Sequence, residues 1–579
     1  MLAEALPIAI DWSPMSLPPA FVFLGGALLV LAAGALRLQA LQKTLLLLTP
    51  VVGLVNLLGL DAGTAWVSSL YDFELVGLRV DRLSFLFGLL FHLGAFIAFL
   101  FALRERDTVQ HVAAMIYAAS ALGAVFAGDL VTLFFYWEGL ALSSVFLVWA
   151  RRTHVANRAG FRYLVVHLAS GLLLLAGALL HYEQTGSIAF EHLGTDTAAG
   201  WLILAAVGVK CGFPLLHNWI TDAYPEATPS GTVFLSMLTT KVAVYALARG
   251  FAGTELLIPI GTVMAVFPIF YAVIENDLRR VLGYSMINQI GFMVAGIGIG
   301  TELAMNGAVA HAFNEVLFKG LLFMSMGAVL FRVGHVYGSD LGGLYKSMPW
   351  TTMFCAVGAA SISAFPLFNG FVSKSMIMAA MVEHGYIWSW LALLFASAGV
   401  FHHAGIKIPY FAFFSHDSGI RTREAPLNML LAMGVAAALC IFVGSNPQAL
   451  YALLPWTVDY VPYTYPHVLA QLQLLFFSAL AFAWLKLSGI YPPELHSVNL
   501  DADWSYRKAV PRVAMGVVSV WQAFAHGLAA AVRASGAPLR SGLSTMQGGL
   551  ERFAISATAT LLVAVLLAGS LIMNFIFAV

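Results

Sequence analysis

AMNGAVAHAFNEVLFKGLLFMSMGAVLF, residues 304–331, is an apolar run that contains one acid and one base. A helix needs about 20 mostly apolar residues to cover ~30 Å of hydrocarbon, so the run reads as a membrane-spanning helix. Within it His311, Glu315 and Lys319 follow at i, i+4 and i+8, which stacks them on one helical face. A charge at mid-bilayer costs about 2.5–3.5 kcal/mol on insertion scales, and such residues face a bundle interior or water. The stretch therefore predicts a helical membrane protein with a polar line inside it.

Windows of the same kind recur on both sides. The 579 residues are 60% hydrophobic and 10% charged, with mean hydropathy +0.86, values that exclude a soluble enzyme. The expected fold is all-α and polytopic, with about sixteen crossings at 17–36, 44–60, 82–102, 110–128, 130–150, 162–182, 200–219, 231–250, 256–275, 283–300, 304–331, 351–376, 386–413, 427–445, 467–487 and 556–578. Basic residues collect in alternate loops, at Arg37 and Lys43, Arg104 and Arg106, Arg151 to Arg158, Arg279 and Arg280, Arg332 and Lys346, and Arg421 and Arg423. By the positive-inside rule these loops are cytoplasmic, which puts both termini on the other side. The loop with Asp222 and Glu226 breaks the alternation. Glu4 and Asp11, with no Lys or Arg before the first apolar run, are unlike a cleaved signal peptide, so the N-terminus is expected to be retained.

Twenty-nine basic residues balance 29 acidic ones, leaving no electrostatic footprint for nucleic acid. Cys211, Cys355 and Cys440 stand far apart with no CxxC, so no disulfide framework, zinc site or iron–sulfur cluster is indicated. Neither a nucleotide fingerprint nor a catalytic triad appears, and neither a cofactor nor an independent catalytic site is expected. Residues 491–555 mix Arg507, Lys508, Arg512, Arg533, Arg540 and Arg552 with apolar residues, which recur at helical spacing from Val510 to Val532 and are interrupted near Gly536 and Pro538. That pattern fits an amphipathic stretch on the cytoplasmic surface, either a connector lying on lipid or a strut against a neighbouring subunit.

Of nine lysines, Lys210, Lys241, Lys319, Lys374 and Lys407 fall inside expected crossings, as does Glu138. Snorkelling toward a helix end stays open for Lys407 and Lys486. Desolvation lowers a lysine's proton affinity and a nearby carboxylate restores it, so a rearranged ion pair switches it between holding and releasing a proton, a role arginine cannot fill. His92, His167 and His217 could extend such a relay or serve as hydrogen-bonded packing residues. Phe213-Pro214-Leu215-Leu216 and Phe365-Pro366-Leu367-Phe368 place matching prolines inside two crossings. Proline opens a helix, and paired broken helices in two halves point to an inverted-repeat transporter with its path between them.

From Asp81 to Phe414 these residues resemble the antiporter-like proton-translocating subunits shared by respiratory complex I and the Mrp-type cation/proton antiporters. The resemblance rests on Phe135-Tyr136-Trp137-Glu138, Lys210 to Pro214 continuing to Trp219 and Asp222 to Ala227, Leu238 to Val242, Asp277 to Arg280 with Tyr284-Ser285 and Gln289 to Gly291, Lys319 to Phe323, and Gly370 to Lys374. It implies that Glu138 and Lys210 form a gating ion pair, that Lys241 is the central relay lysine and that Lys374 is the terminal exchange residue. His311, Glu315, Lys319, His217 and Lys407 would support the relay, and Pro214 and Pro366 would mark the breaks of helices 7 and 12. It also implies two inverted five-helix repeats, helices 4–8 and 9–13. The organisation is then 1–109, N-terminal helices 1–3; 110–250, first repeat; 251–415, second repeat; 416–490, helices 14–15; 491–555, surface stretch; and 556–579, a last crossing.

Glu315 stands where many relatives repeat histidine, Lys374 where one complex I member has Glu, and Pro366-Leu367 where a double proline is usual. The motifs around Lys241 and Lys374 look like those of an Mrp D subunit, whereas the C-terminal layout is similar to the largest antiporter-like subunit of complex I. The resemblance implies protons as cargo with Na+ as a candidate second ion, other membrane subunits and lipid as partners, and the bacterial inner membrane as location. Three readings stay open: a cation/proton antiporter subunit, a pumping subunit of a complex I-like oxidoreductase or membrane hydrogenase, and a subunit coupling proton-motive force to a soluble partner such as an inorganic-carbon uptake protein.

Overall fold

A computed structural model describes residues 17–70 and 73–509, and beyond them 512–513, 515–516, 518–523 and 526–527. The helices are α1 Pro19–Ala35, α2 Gln39–Leu58, α3 Arg82–Ala102, α4 Thr108–Phe126, α5 Leu130–Trp149, α6 His154–Thr185 and α7 Ala198–Cys211. They continue with α8 Pro229–Gly250, α9 Leu257–Ile274, α10 Leu278–Ile299, α11 Glu302–Val333, α12 in two pieces, Pro349–Ile362 and Asn369–Glu383, then α13 Ile387–Phe414, α14 Leu427–Ser445 and α15 Tyr465–Leu487. Among the described residues twelve helices are long and apolar enough to cross a membrane: α2 to α6, α8 to α11 and α13 to α15. The α1 and α7 helices are shorter, and the expected crossing at 556–578 lies outside the described residues, as do Glu4 and Asp11.

Helix starts follow from local chemistry. Asp81, Asp107, Asp129, Thr153, Thr197, Thr228 and Asp277 each stand at an N-cap and accept a backbone N–H of the first turn, satisfying donors that a helix leaves open. Two N-caps also make isolated antiparallel bridges to later loops, Asp129 with Ala189 and Asp277 with Tyr337. The helices that follow these positions include two of equal length, α6 and α11, each of 32 residues.

Within lipid, helices associate through close packing and polar contacts rather than through the hydrophobic effect, and small residues allow the approach. At Gly261 of α9 and Gly291 of α10 an added Cβ would strike the backbone of the other helix, and Asn288 donates across the same seam to the Ala265 carbonyl. The acidic loop that breaks the charge alternation is neutralised by arginines. Arg162 donates twice to Asp222, at 2.7 and 2.9 Å, and Arg151 meets Glu226 at 3.4 Å.

Several features were not anticipated. Gly63–Leu70 (β1) and Phe73–Val80 (β2) form an antiparallel pair, with Gly63 opposite Val80 and Leu70 opposite Phe73, so the all-α expectation misses one small sheet. Helix α8 is interrupted at Leu238, between Pro229–Met237 and Thr239–Gly250. In α13, π-helical turns at Phe401–Ile406 and Tyr410–Phe414 flank Lys407.

The chain divides into two compact units, one ending at Asp501 and the other beginning at Ala502. Of the second, a π-helical turn Ser505–Ala509 is described, with Arg507 bonded to Asp503 at 2.8 Å. The rest of the expected surface stretch, from residue 528 to 555, lies outside the described residues.

Candidate functional site

Lys210, Lys241, Lys319, Lys374 and Lys407 are all buried, none more than 3% exposed. Burial of an ammonium demands hydrogen-bond acceptors, and several of these lysines find theirs at carbonyls near a helix break or end. Lys241, in the first turn after the Leu238 interruption, donates to the Ser236 carbonyl at 2.9 Å and to Thr240 Oγ1 at 3.3 Å. Lys374 reaches the Ile362 carbonyl, the last residue of the first piece of α12, at 3.3 Å. Lys407 donates to the carbonyls of Val273 and Glu275 at the end of α9, at 2.6 and 2.7 Å.

Lys210 lies in the last turn of α7 and donates at 2.6 Å to the Trp137 carbonyl, its ammonium 4.6 Å from that indole's centroid. The indole is held in turn, Trp137 Nε1 donating to Ser170 Oγ at 3.0 Å and Ser170 to the Ala206 carbonyl at 2.7 Å. Glu138, the next residue of α5, points its carboxylate at Gly171 of α6, and among the described residues its Oε1 is buried without a hydrogen-bond partner. Among the described residues Glu138 and Lys210 make no ion pair within 4 Å. His167 lies beside Lys210, its ring tilted 4.1 Å from Tyr163 and edge-on 4.4 Å from Trp219, and among the described residues both ring nitrogens are buried and unpartnered.

The stripe on α11 divides its contacts among three neighbours. Glu315 forms an ion pair with Lys241 of α8, both side chains fully buried, so the carboxylate that sequence placed beside Lys319 serves a lysine of another helix. Lys319 donates instead to Ser285 Oγ of α10 at 2.8 Å. His311 is held between Ser373 Oγ, 3.0 Å from Nδ1, and Gln289 Oε1, 3.1 Å from Nε2. Since Ser373 precedes Lys374, the contacts run from Lys241 through α11 to the second piece of α12. Lys374 lies 4.9 Å from the Phe292 ring centroid and lines a cavity of about 140 Å³ with Ser375, Ser397, His467 and Gln471.

Pro214 and Pro366 stand in the breaks they mark, and each is followed by a leucine with positive φ, Leu215 at 71° and Leu367 at 73°. His217 closes the first break. Its Nε2 lies 3.1 Å from Asp501 Oδ2, which also accepts the Tyr284 hydroxyl at 2.8 Å. Near Lys407 the Glu494 carboxylate completes an ion pair at 3.0 Å. Burial pushes that carboxyl up from its usual range, against the pull of Lys407.

Sequence reasoning gave no role to Ser285, Gln289 and Ser373, although the first two stand in the motif that begins at Asp277. It missed Glu494 and Asp501, which lie at the start of the stretch read as a surface connector or strut, before its helical spacing begins. Taken together the site is a row of buried ammonium, carboxylate and imidazole groups linked by hydroxyl and amide side chains, the parts needed to pass protons.

Residues 127–402 match the family described as NADH:quinone oxidoreductase/Mrp antiporter, transmembrane. The chain is 28% identical over 425 residues to hydrogenase-4 component B of Escherichia coli K12, a match covering 64% of this chain and 63% of that protein. It is 28% identical over 355 residues to the D component of the Na(+)/H(+) antiporter of Alkalihalophilus pseudofirmus, over 57% of this chain and 71% of that one. The chain thus spans less than two thirds of the hydrogenase component. In fold it is similar to a chain of the membrane-bound sulfane sulfur reductase, an archaeal respiratory membrane complex, with TM-score 0.70 and 22% identity over 94% of this chain and 100% of that one.

Proposed function

Because residues 127–402 belong to the NADH:quinone oxidoreductase/Mrp antiporter transmembrane family, we propose that this chain conducts protons as a membrane subunit of a multisubunit cation/proton antiporter, with Na+ as the exchanged cation. The observation that carries the reading is the Lys241–Glu315 ion pair, which joins the lysine of α8 to the polar stripe of α11 and, through His311 and Ser373, to Lys374. Helices α4–α8 and α9–α13 are two inverted repeats in this reading. The matched bridges at Asp129 and Asp277, the equal lengths of α6 and α11 and the positive-φ leucines after Pro214 and Pro366 support that division.

A proton loads near α8, resides on Lys241, crosses to α11 when the Glu315 contact loosens, and passes His311 to Lys374. Ser373 and Gln289 hold the His311 ring so that both nitrogens are engaged. Lys374 releases the proton into the cavity it shares with Ser375 and His467. Glu138 gates the path: when its carboxylate approaches Lys210 the positive charge is compensated, and when it withdraws the uncompensated charge lowers the proton affinity of Lys241. Withdrawal leaves Lys210 on the Trp137 carbonyl. Moving one charge against 100 mV takes about 2.3 kcal/mol, a quantity within the range of separating a partly buried ion pair.

A second reading, a pumping subunit of a respiratory redox complex, is favoured by the fold match that covers 94% of this chain. Proton flux into liposomes containing the whole purified assembly, driven by a sodium gradient with no electron donor, separates the two. Flux abolished by Lys241→Ala, Glu138→Ala and Lys374→Ala is the expected result, and flux unchanged in Lys241→Ala would overturn the relay. Flux that requires an electron donor would replace the antiporter with the redox subunit.

A further inference from the structure

His217 is 2% exposed and engages the two sides of its ring differently. Its Nε2 faces Asp501, with side chains 3% and 6% exposed, while among the described residues its Nδ1 is buried and has no hydrogen-bond partner. A buried imidazole nitrogen without a partner is costly, and one that is a carboxylate contact on one side and open on the other has the form of a proton transfer station. The ring packs 4.6 Å from Phe267 and sits at the end of the break that follows Lys210. Asp501 belongs neither to the matched family segment, which ends at residue 402, nor to any transmembrane helix. It is the last residue of a strap, 491–501, that is anchored at two further points, Glu494 on Lys407 and Asn499 on Glu275 at 3.1 Å. Among the described residues Glu275 and Arg280 also act on Tyr284, and Asp501 makes further contacts of its own.

We propose that Asp501 is the proton-loading carboxylate of this chain, receiving protons from the aqueous phase and delivering them to His217. The assignment rests on the proton-conducting reading above. Protonated Asp501 gives its proton to Nε2 of the Nδ1–H tautomer, forming imidazolium and carboxylate. The Nδ1 proton then passes inward to a water molecule, and a half-turn of the neutral ring returns a lone pair to Asp501. No other reactant is consumed. The Tyr284 hydroxyl, donating to Asp501, holds the carboxylate against His217 through each transfer and is a positioning residue.

The test uses the full assembly in liposomes, under an imposed sodium gradient or membrane potential, with and without electron donor. D501N keeps the size of Asp501 and an oxygen that accepts the Tyr284 hydroxyl, but cannot carry a proton. Its flux is expected to fall about a hundredfold, the low end of what a positioned proton donor contributes, with the melting temperature unchanged and flux partly restored in D501E. A D501N assembly with wild-type flux would overturn the assignment and reduce Asp501 to a structural pin. Flux lost in Lys241→Ala but kept in D501N would overturn this inference alone, whereas the absence of proton movement in wild type under every condition would overturn the conducting reading with it. Infrared pH-difference spectra of the wild-type and H217Q assemblies need no change at Asp501. A carboxyl titration displaced in H217Q is expected, and identical carboxyl titrations would overturn the shared proton.

Discussion

Gly171 has no side chain because the Glu138 carboxylate occupies the place where a Cβ would stand. Gly171→Ala pushes that carboxylate off α6 and is expected to lower proton flux severalfold while the assembly still forms, as liposome flux beside size-exclusion elution would reveal. At Asp81 the consequence is one of stability. Burial raises this carboxyl, but the Arg249 guanidinium, bonded to it at 2.8 and 2.6 Å, together with the Ser84 N–H, brings it net below its usual value. A lowered carboxyl contributes stability above the ordinary aspartate value of about 4, and the contribution fades as pH falls below it. Asp81→Ala is expected to cost about 1 kcal/mol of cap stability at neutral pH. Asp81→Asn, which keeps a capping oxygen, should flatten the acid limb of the unfolding curve. Single residues of this kind were partly legible in sequence: the buried lysines stood out because mid-bilayer charge is costly, but their partners did not. Glu315 lies one turn before Lys319 in sequence, and only the packing of α11 against α8 assigns it to Lys241.

At the scale of elements, apolar length made the helices readable and proline made two of the breaks readable. The Leu238 interruption carries no comparable signal, because tertiary packing and the buried Lys241, not local propensity, stabilise it; the π-helical turns around Lys407 do carry one, Pro409 between them, which went unread. The β1–β2 pair went unread since Gly63–Val80 sits between two strong membrane helices and looks like a connecting loop. Leu215 and Leu367 hold left-handed backbone, which costs roughly 1–3 kcal/mol for a residue with a Cβ and more for a β-branched one. Both side chains are exposed, at 74% and 58%, so packing does not select leucine. Leu215→Gly and Leu367→Gly should therefore be tolerated, whereas Leu215→Ile and Leu367→Ile should lower the melting temperature, the two breaks responding alike in thermal unfolding.

Across the whole molecule the Lys241–Glu315 pair ties α8 to α11. Removing one member of a buried pair leaves an uncompensated charge and costs about 3–5 kcal/mol, while replacing both with apolar residues is often neutral. Lys241→Met and Glu315→Met are each expected to destabilise strongly, and the double variant to recover most of the loss in a denaturation series, with flux abolished in all three. The same pair imposes an order on biogenesis. When α8 enters the bilayer its lysine has no carboxylate to meet, and it stays unmatched until α9, α10 and α11 have followed it out of the ribosome. A nascent chain halted before Glu315 should thus be held at the insertion machinery or cleared by membrane proteases, and synthesis of the second half becomes the step that releases the first into lipid.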